Sequence, residues 1–197
     1  KNLSYIVRRT EDKINSLVYI LGKVPGTAIV YVRNRKRTKE VATILREAGI
    51  SADFFHAGLN RDEKTLRQSR WKNNECRVIV STNAFGMGID KPDVRLVVHL
   101  DMPGSLEEYY QEAGRAGRDE QRAYAVALCS NTDTAKLKKR LADEYPDREF
   151  ISRVYDALGN YYQIAMGYGL DTVHDFSLID FCSAYKFSHL QAHHALK

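Results

Sequence analysis

The chain has 197 residues, 44% hydrophobic and 28% charged, which is length and apolar content enough for one good-sized domain or a domain with a smaller appendage. No apolar run approaches about 18 residues and no charged-then-apolar leader opens the chain, so neither a spanning helix nor a secretory signal is read, and an intracellular protein is expected, of the cytoplasm or nucleoid if bacterial. A formal net charge of +5 and a pI of about 9.0 favour a polyanionic partner, while Cys76, Cys129 and Cys182, widely spaced and odd in number, suggest neither a disulfide framework nor a paired metal knuckle.

Leu3, Tyr5 and Val7 alternate within Asn2 to Arg8, the signature of a short strand that suits a sheet edge. Thr10 is placed to cap a helix with Glu11 and Asp12 in its first turn and Ile14, Leu17, Val18 and Leu21 at helical spacing, ended by Gly22. After the turn Val24-Pro25-Gly26, Thr27 to Val32 is the first core strand. Asn34 caps the next helix, whose buried stripe is Val41, Ile44, Leu45 and Ala48 and whose C-terminal glycine is Gly49. Five of the seven residues from Arg33 to Lys39 are basic and follow directly on that strand. A charge run of this kind is also what an ordinary solvated helix face looks like.

Ala52 to His56 is the next strand, and Asn60 with Glu63 has the spacing of a capping box opening a helix through Leu66 and Trp71 to Asn73-Asn74. Val78 to Val80, Val94 to Leu100 and Ala123 to Leu128 add three strands. Ser105 and Glu108 form a second capping box, for a helix carrying Tyr109 and Tyr110 towards Gly114. Apolar strands alternating with helices predict an α/β fold: a doubly wound, largely parallel sheet with helices on both faces. From Asn131 the composition turns helical and charged, with breaks at Pro146 and at Gly167 to Gly169, and Phe176 to His194 reads as further helix. The expected organisation is a lobe over 1–145 and a helical appendage over 146–197.

Chemistry concentrates between Arg77 and Asp119. The segment Gly114-Arg115-Ala116-Gly117-Arg118 sets two arginines three apart among glycines, which suits a polyphosphate because guanidinium forks match phosphate oxygens. The stretches STNAFGMGIDKPDVR (Ser81 to Arg95) and QEAGRAGRD (Gln111 to Asp119) resemble motifs V and VI of the second RecA-like lobe of superfamily 2 helicases, and within them the RecQ family of DNA helicases. YVRNRKRTKEVATILREAGISADFFHAGL (Tyr31 to Leu59) is similar to motif IV and the HAGL element after it. The resemblance runs from Asn2 to about Ser130.

That resemblance implies ATP hydrolysis coupled to 3′-to-5′ movement on single-stranded DNA and separation of duplexes. It implies that Arg115 and Arg118 reach the phosphates of ATP across a cleft, with Gln111 linking nucleotide state to the lobe interface. Asp90 would accept from the ribose, unless it only caps the turn before Lys91-Pro92, and Gly88 would let the backbone approach the nucleotide. Arg33, Asn34, Arg35, His56, Ser81 and Thr82 would meet the backbone of the tracked strand. The main triphosphate loop and the acidic magnesium motif are absent from this sequence, so ATP and Mg2+ would be held mainly by an N-terminal RecA-like lobe of the same protein. The RecQ zinc module is not visible either: Cys182 with His189, His193 and His194 is too sparse a set, and no zinc is expected. The chain starts at Lys1 and stops at Lys197 within a helical-looking run, as a fragment of a longer protein would.

Overall fold

The computed structural model describes residues 2–85, 90–165 and 167–197. The lobe is built on six strands, β1 (Leu3–Arg9), β2 (Thr27–Tyr31), β3 (Ala52–Phe55), β4 (Val78–Ser81), β5 (Val94–His99) and β6 (Ala123–Cys129), in the order β1-β6-β5-β2-β4-β3. All five pairings are parallel. Each crossover therefore needs a connection that returns over a face of the sheet: α1 (Lys13–Lys23), α2 (Arg35–Glu47), α3 (Arg61–Lys72) and α4 (Leu106–Ala113) supply four of these helices.

Side-chain alternation splits the central strands between two cores. Ala28, Val30, Val78, Val80, Leu96 and Val98 face α1 and α2 and pack on Leu17, Leu21, Val41 and Leu45. Ile29, Tyr31, Ile79 and Val97 face the other way, onto Trp71 of α3, Phe85 and Ala116. The pairing of β2 with β5 shifts register between Thr27 and Ala28, which match Val94 and Leu96 and leave Arg95 as an extra residue. Val94 and Leu96 consequently enter opposite cores instead of sharing one face. Gly26, at φ 93°, makes room for this bulge, because a Cβ there would stand 2.5 Å from the Arg95 Cγ.

Several element ends depart from the sequence reading. Thr10, just past β1, is held by β6, its N–H donating to the Cys129 carbonyl at 2.8 Å, and the cap of α1 passes to Asp12, which accepts from the Asn15 N–H at 3.0 Å. The same helix runs through Gly22 and stops at Val24, whose extended backbone is what a following proline imposes. Asn34 caps α2 and the Asn60–Glu63 box opens α3, both as expected.

The chain divides into two compact units, Lys1–Asp133 and Thr134–Lys197. The division falls within α5 (Asn131–Glu144), ahead of Pro146. In the second unit α6 (Arg148–Tyr161), α7 (Leu178–Tyr185) and α8 (His189–Ala195) enclose a small core of Val154, Ala157, Phe181, Cys182 and Ala192.

Candidate functional site

Helix α4 carries the arginine segment to its place. Ser105 caps it, accepting from the Glu108 N–H at 3.1 Å, while the Glu108 carboxylate reaches back to the Gly104 N–H and takes the Asn83 amide at 3.1 Å. Beyond the last turn, the Arg115 N–H donates to the Glu112 carbonyl at 3.2 Å and Ala116 is buried in the second core. Gly117, at φ 69°, donates its N–H to the Val94 carbonyl at 2.9 Å, which fastens the arginine turn to the start of β5. A Cβ on Gly117 would stand 2.6 Å from Asn2 Nδ2, 2.9 Å from Ala123 Cβ and 3.0 Å from the Gln121 carbonyl. Glycine is thus required here by the turn and by its packing.

Arg118 projects to the surface. Its Nη1 lies 3.3 Å from Asp90 Oδ1 and its Nε donates to the Gly114 carbonyl at 3.4 Å. The Arg118 side chain is 40% exposed and that of Asp90 85%. Asp119, the nearer acid in sequence, is taken instead by Arg95 at 2.5 Å, whose hydrogen bond holds the Asp119 carboxyl below the usual carboxylate range. Arg118 therefore keeps guanidinium donors facing solvent, in the form a phosphate needs. Arg115 is half-buried and lies beside the Tyr31 phenol. Burial pushes that phenol up, while the Arg115 guanidinium pulls it down by charge and hydrogen bonding and Glu112 raises it further. Gln111 is exposed on α4. Gly88, with Gly86, lies outside the described residues.

The expected nucleic-acid residues gather at the carboxyl ends of the strands, where α/β sheets keep their ligand crevices. A cleft there is lined by Tyr31, Arg33, Thr82, Asn83, Asp101 and Met102. Arg33 is exposed but tethered: its N–H donates to Asp101 Oδ2 at 3.1 Å and its Nη1 to the Met102 carbonyl at 3.1 Å. Asp101 also holds Arg37, at 3.1 Å. The Asn34 side-chain oxygen is committed to capping, accepting from the Lys36 N–H at 2.8 Å.

Next to this cleft, Arg35 and His56 come together around Gly58, where an added Cβ would be 3.0 Å from Arg35 Nη1 and 3.4 Å from His56 Nδ1. Burial first, then the Arg35 and Arg67 charges, lower the His56 imidazole below its ordinary value, so it is neutral at pH 7. Thr82 borders the cleft at 8% exposure. Ser81 does not reach the surface. It is fully buried, and its hydroxyl is shared between the Phe55 and Thr82 carbonyls at 2.8 Å each, so its side chain ties the ends of β3 and β4 together.

One pair escaped the sequence reading. His99, at the end of β5, and Glu112, on α4, meet with Nε2 2.8 Å from Oε2. A histidine inside the apolar run Val94 to Leu100, and a glutamate in a stretch otherwise read for its arginines, were the available signals. In the second unit Cys182 is buried beside Phe181, and among the described residues no three His, Cys, Asp or Glu side chains converge as metal ligands. No described helix is long and apolar enough to cross a membrane.

The chain matches the helicase conserved C-terminal domain over residues 12–120. It is 47% identical over 149 residues to the ATP-dependent DNA helicase Q1 of Pongo abelii, covering 73% of this chain and 23% of that protein. It is 40% identical over 145 residues to the ATP-dependent DNA helicase RecQ of Pasteurella multocida, again 73% of this chain and 23% of the relative. The chain thus spans about a quarter of the length of these relatives. Among solved structures, the E. coli DEAD-box protein SrmB, bound to regulator of ribonuclease activity A, superposes with a TM-score of 0.61 at 30% identity, over 71% of this chain and 86% of that one.

Proposed function

The chain belongs to the helicase conserved C-terminal domain family, and on that premise we propose that it is the second RecA-like lobe of a RecQ-type, ATP-dependent DNA helicase. The observation that carries this reading is the arginine turn: Arg118 stands half-exposed and braced by Asp90, on a turn that Gly117 fastens to β5. In a two-lobed motor the triphosphate lies between lobes. Arg118 and Arg115 reach its oxygens from this side and stabilise the charge that builds as the γ-phosphoryl leaves. Asp90 orients Arg118 and accepts from the ribose, and Gln111 faces the partner lobe.

Magnesium would neutralise phosphate charge; among the described residues of this lobe no three His, Cys, Asp or Glu side chains converge, and the sequence carries no acidic magnesium motif. We assign its ligands, and the main grip on ATP, to the N-terminal lobe of the same protein. At the strand ends, Arg35, Arg33 and Thr82 contact the phosphates of single-stranded DNA, contacts that position the strand and carry no base information.

The test is turnover in two forms of the protein. The lobe alone is expected to show no ATPase above background and only weak, salt-sensitive DNA binding. The full-length protein is expected to hydrolyse ATP on addition of single-stranded DNA and to unwind DNA in preference to a matched RNA duplex. Robust DNA-stimulated turnover by the lobe alone, or unwinding of RNA only, overturns the reading.

A further inference from the structure

Glu112 lies within the arginine segment yet faces inward. It is 6% exposed, and His99, its partner, is 0% exposed. A carboxylate is rarely buried unless paired, because leaving water is costly for the charged form. The His99 ring is held on both sides, stacked on Tyr31 at 5.4 Å between centroids and tilted against Tyr109 at 4.9 Å. Its Nδ1 is buried without a hydrogen-bond partner, which leaves Nε2, 2.8 Å from Glu112 Oε2, to make the polar contact of the ring.

Arg115 follows Glu112 by one turn, and its N–H is bonded to the Glu112 carbonyl. The guanidinium of Arg115 and the carboxylate of Glu112 both act on the Tyr31 phenol, whose hydroxyl donates to the Phe85 carbonyl at 3.2 Å. These groups occupy one region behind the arginine turn, on residues from β2, β5 and α4. Hydrophobic side chains of matching size would fill it at lower desolvation cost.

We propose that the buried Glu112–His99 pair is a positioning device for the arginine turn, placing a carboxylate one helical turn ahead of Arg115 and locking that turn against β5, so that the Arg115 guanidinium is presented at one place and in one orientation. His99 selects the carboxylate rotamer, Tyr31 and Tyr109 fix the imidazole plane, and Glu112, whose carbonyl takes the Arg115 N–H, sets where the turn leaves α4. His99 is sealed from solvent, while Glu112 also lines the cleft at the strand ends beside Tyr31 and Thr82, which is why DNA is kept saturating in the test below. The pair acts through Arg115, and the inference rests on the reading of that turn as an ATP-facing element.

The experiment uses the full-length protein with saturating single-stranded DNA, measuring kcat, KM for ATP and thermal stability for Glu112→Gln, His99→Leu, His99→Gln and the reference Arg118→Ala. A misplacement on the order of 1 Å is enough to cost up to about 100-fold in rate. Glu112→Gln and His99→Leu are therefore expected to lower kcat at least about tenfold while KM changes less than about threefold, and His99→Gln, which restores an N–H donor, to recover most of the rate. If single variants fold poorly, His99→Leu with Glu112→Leu removes the buried charge and its partner together. A stable double variant with low kcat supports the proposal. Normal kcat in Glu112→Gln or in the stable double variant, or no recovery with His99→Gln, overturns it. Should Arg118→Ala keep normal turnover, the functional reading itself fails; loss there with normal Glu112 variants removes the positioning role alone.

Discussion

The Arg118 guanidinium meets the Asp90 carboxylate at 3.3 Å, joining residues 28 apart in sequence at the open surface of the lobe. Water screens so exposed a pair, and such contacts contribute about 0–1 kcal/mol to stability. Its value lies in orientation. Asp90→Asn is expected to leave unfolding free energy within about 0.5 kcal/mol of the parent, whereas Arg118→Ala in the full-length protein loses at least about 100-fold in ATPase with nucleotide affinity changed less than about tenfold. Arg118→Lys recovers little, because an ammonium lacks the planar fork. Near-normal ATPase in a folded Arg118→Ala protein makes the turn structural.

Gly117 and Gly49 both sit at positive φ, at 69° and 76°, but only Gly117 is crowded. Alanine at either site meets the backbone cost of the left-handed region, about 1–2 kcal/mol. At Gly117 it also runs into Ala123 and the Gln121 carbonyl, neither of which is a flexible side-chain end. Urea unfolding should therefore show Gly117→Ala to be clearly more destabilising than Gly49→Ala. Equal losses at the two sites mean that the segment moves aside freely and that the turn is not fastened as described.

Much of this fold was legible because parallel strands buried on both faces read as apolar runs, as Val78 to Val80 and Val94 to Leu100 do, with capping residues such as Asn34, Asn60 and Ser105 marking the helix starts. The Arg95 bulge was not legible, since it depends on the register of β5 against β2. Nor was the cap of α1: Thr10 and Asp12 are both good cap residues, and a sheet hydrogen bond to Cys129 decides between them. The arginine turn was visible through its glycines, although Gly117 serves close packing more than ligand approach. The burial of Ser81 and the His99–Glu112 contact arise only when β3, β4, β5 and α4 are assembled. Local spacing carries no trace of either.

The strand-end arginines make a quantitative prediction about salt. Each phosphate contact to a single strand contributes about 0.7 to the slope of log affinity against log salt, through counterion release. Arg35→Ala in the full-length protein is expected to weaken single-stranded DNA binding without regard to sequence and to make that slope shallower by about 0.7. Arg33→Ala should do less, because its Nη1 is already engaged by the Met102 carbonyl at 3.1 Å. An unchanged slope in the double variant, measured by fluorescence anisotropy across a salt series, takes both residues out of the DNA contact.

Lys13 at the start of α1 and Asp133 in α5 meet at 2.7 Å with side chains only 9% and 10% exposed, and Lys13 also donates to the Leu100 carbonyl at 2.8 Å. Burial by itself works to raise the Asp133 carboxyl. The Lys13 hydrogen bond and charge, with the Ser130 donors, outweigh it and hold the group below the usual carboxylate range. A folded-state value below the unfolded one stabilises the fold above the ordinary aspartate pKa of about 3.9, and that stabilisation is lost as pH falls from there through the lower folded value. Asp133→Ala strands the buried Lys13 ammonium and should cost on the order of 3 kcal/mol at neutral pH. The gap between parent and variant should hold from about pH 7 to pH 5 and narrow by about pH 3, as Asp133 of the unfolded chain takes up its proton ahead of the folded one. Urea unfolding at those three values checks it, and a gap that stays constant down to pH 3 means that the ion pair contributes nothing through its charge.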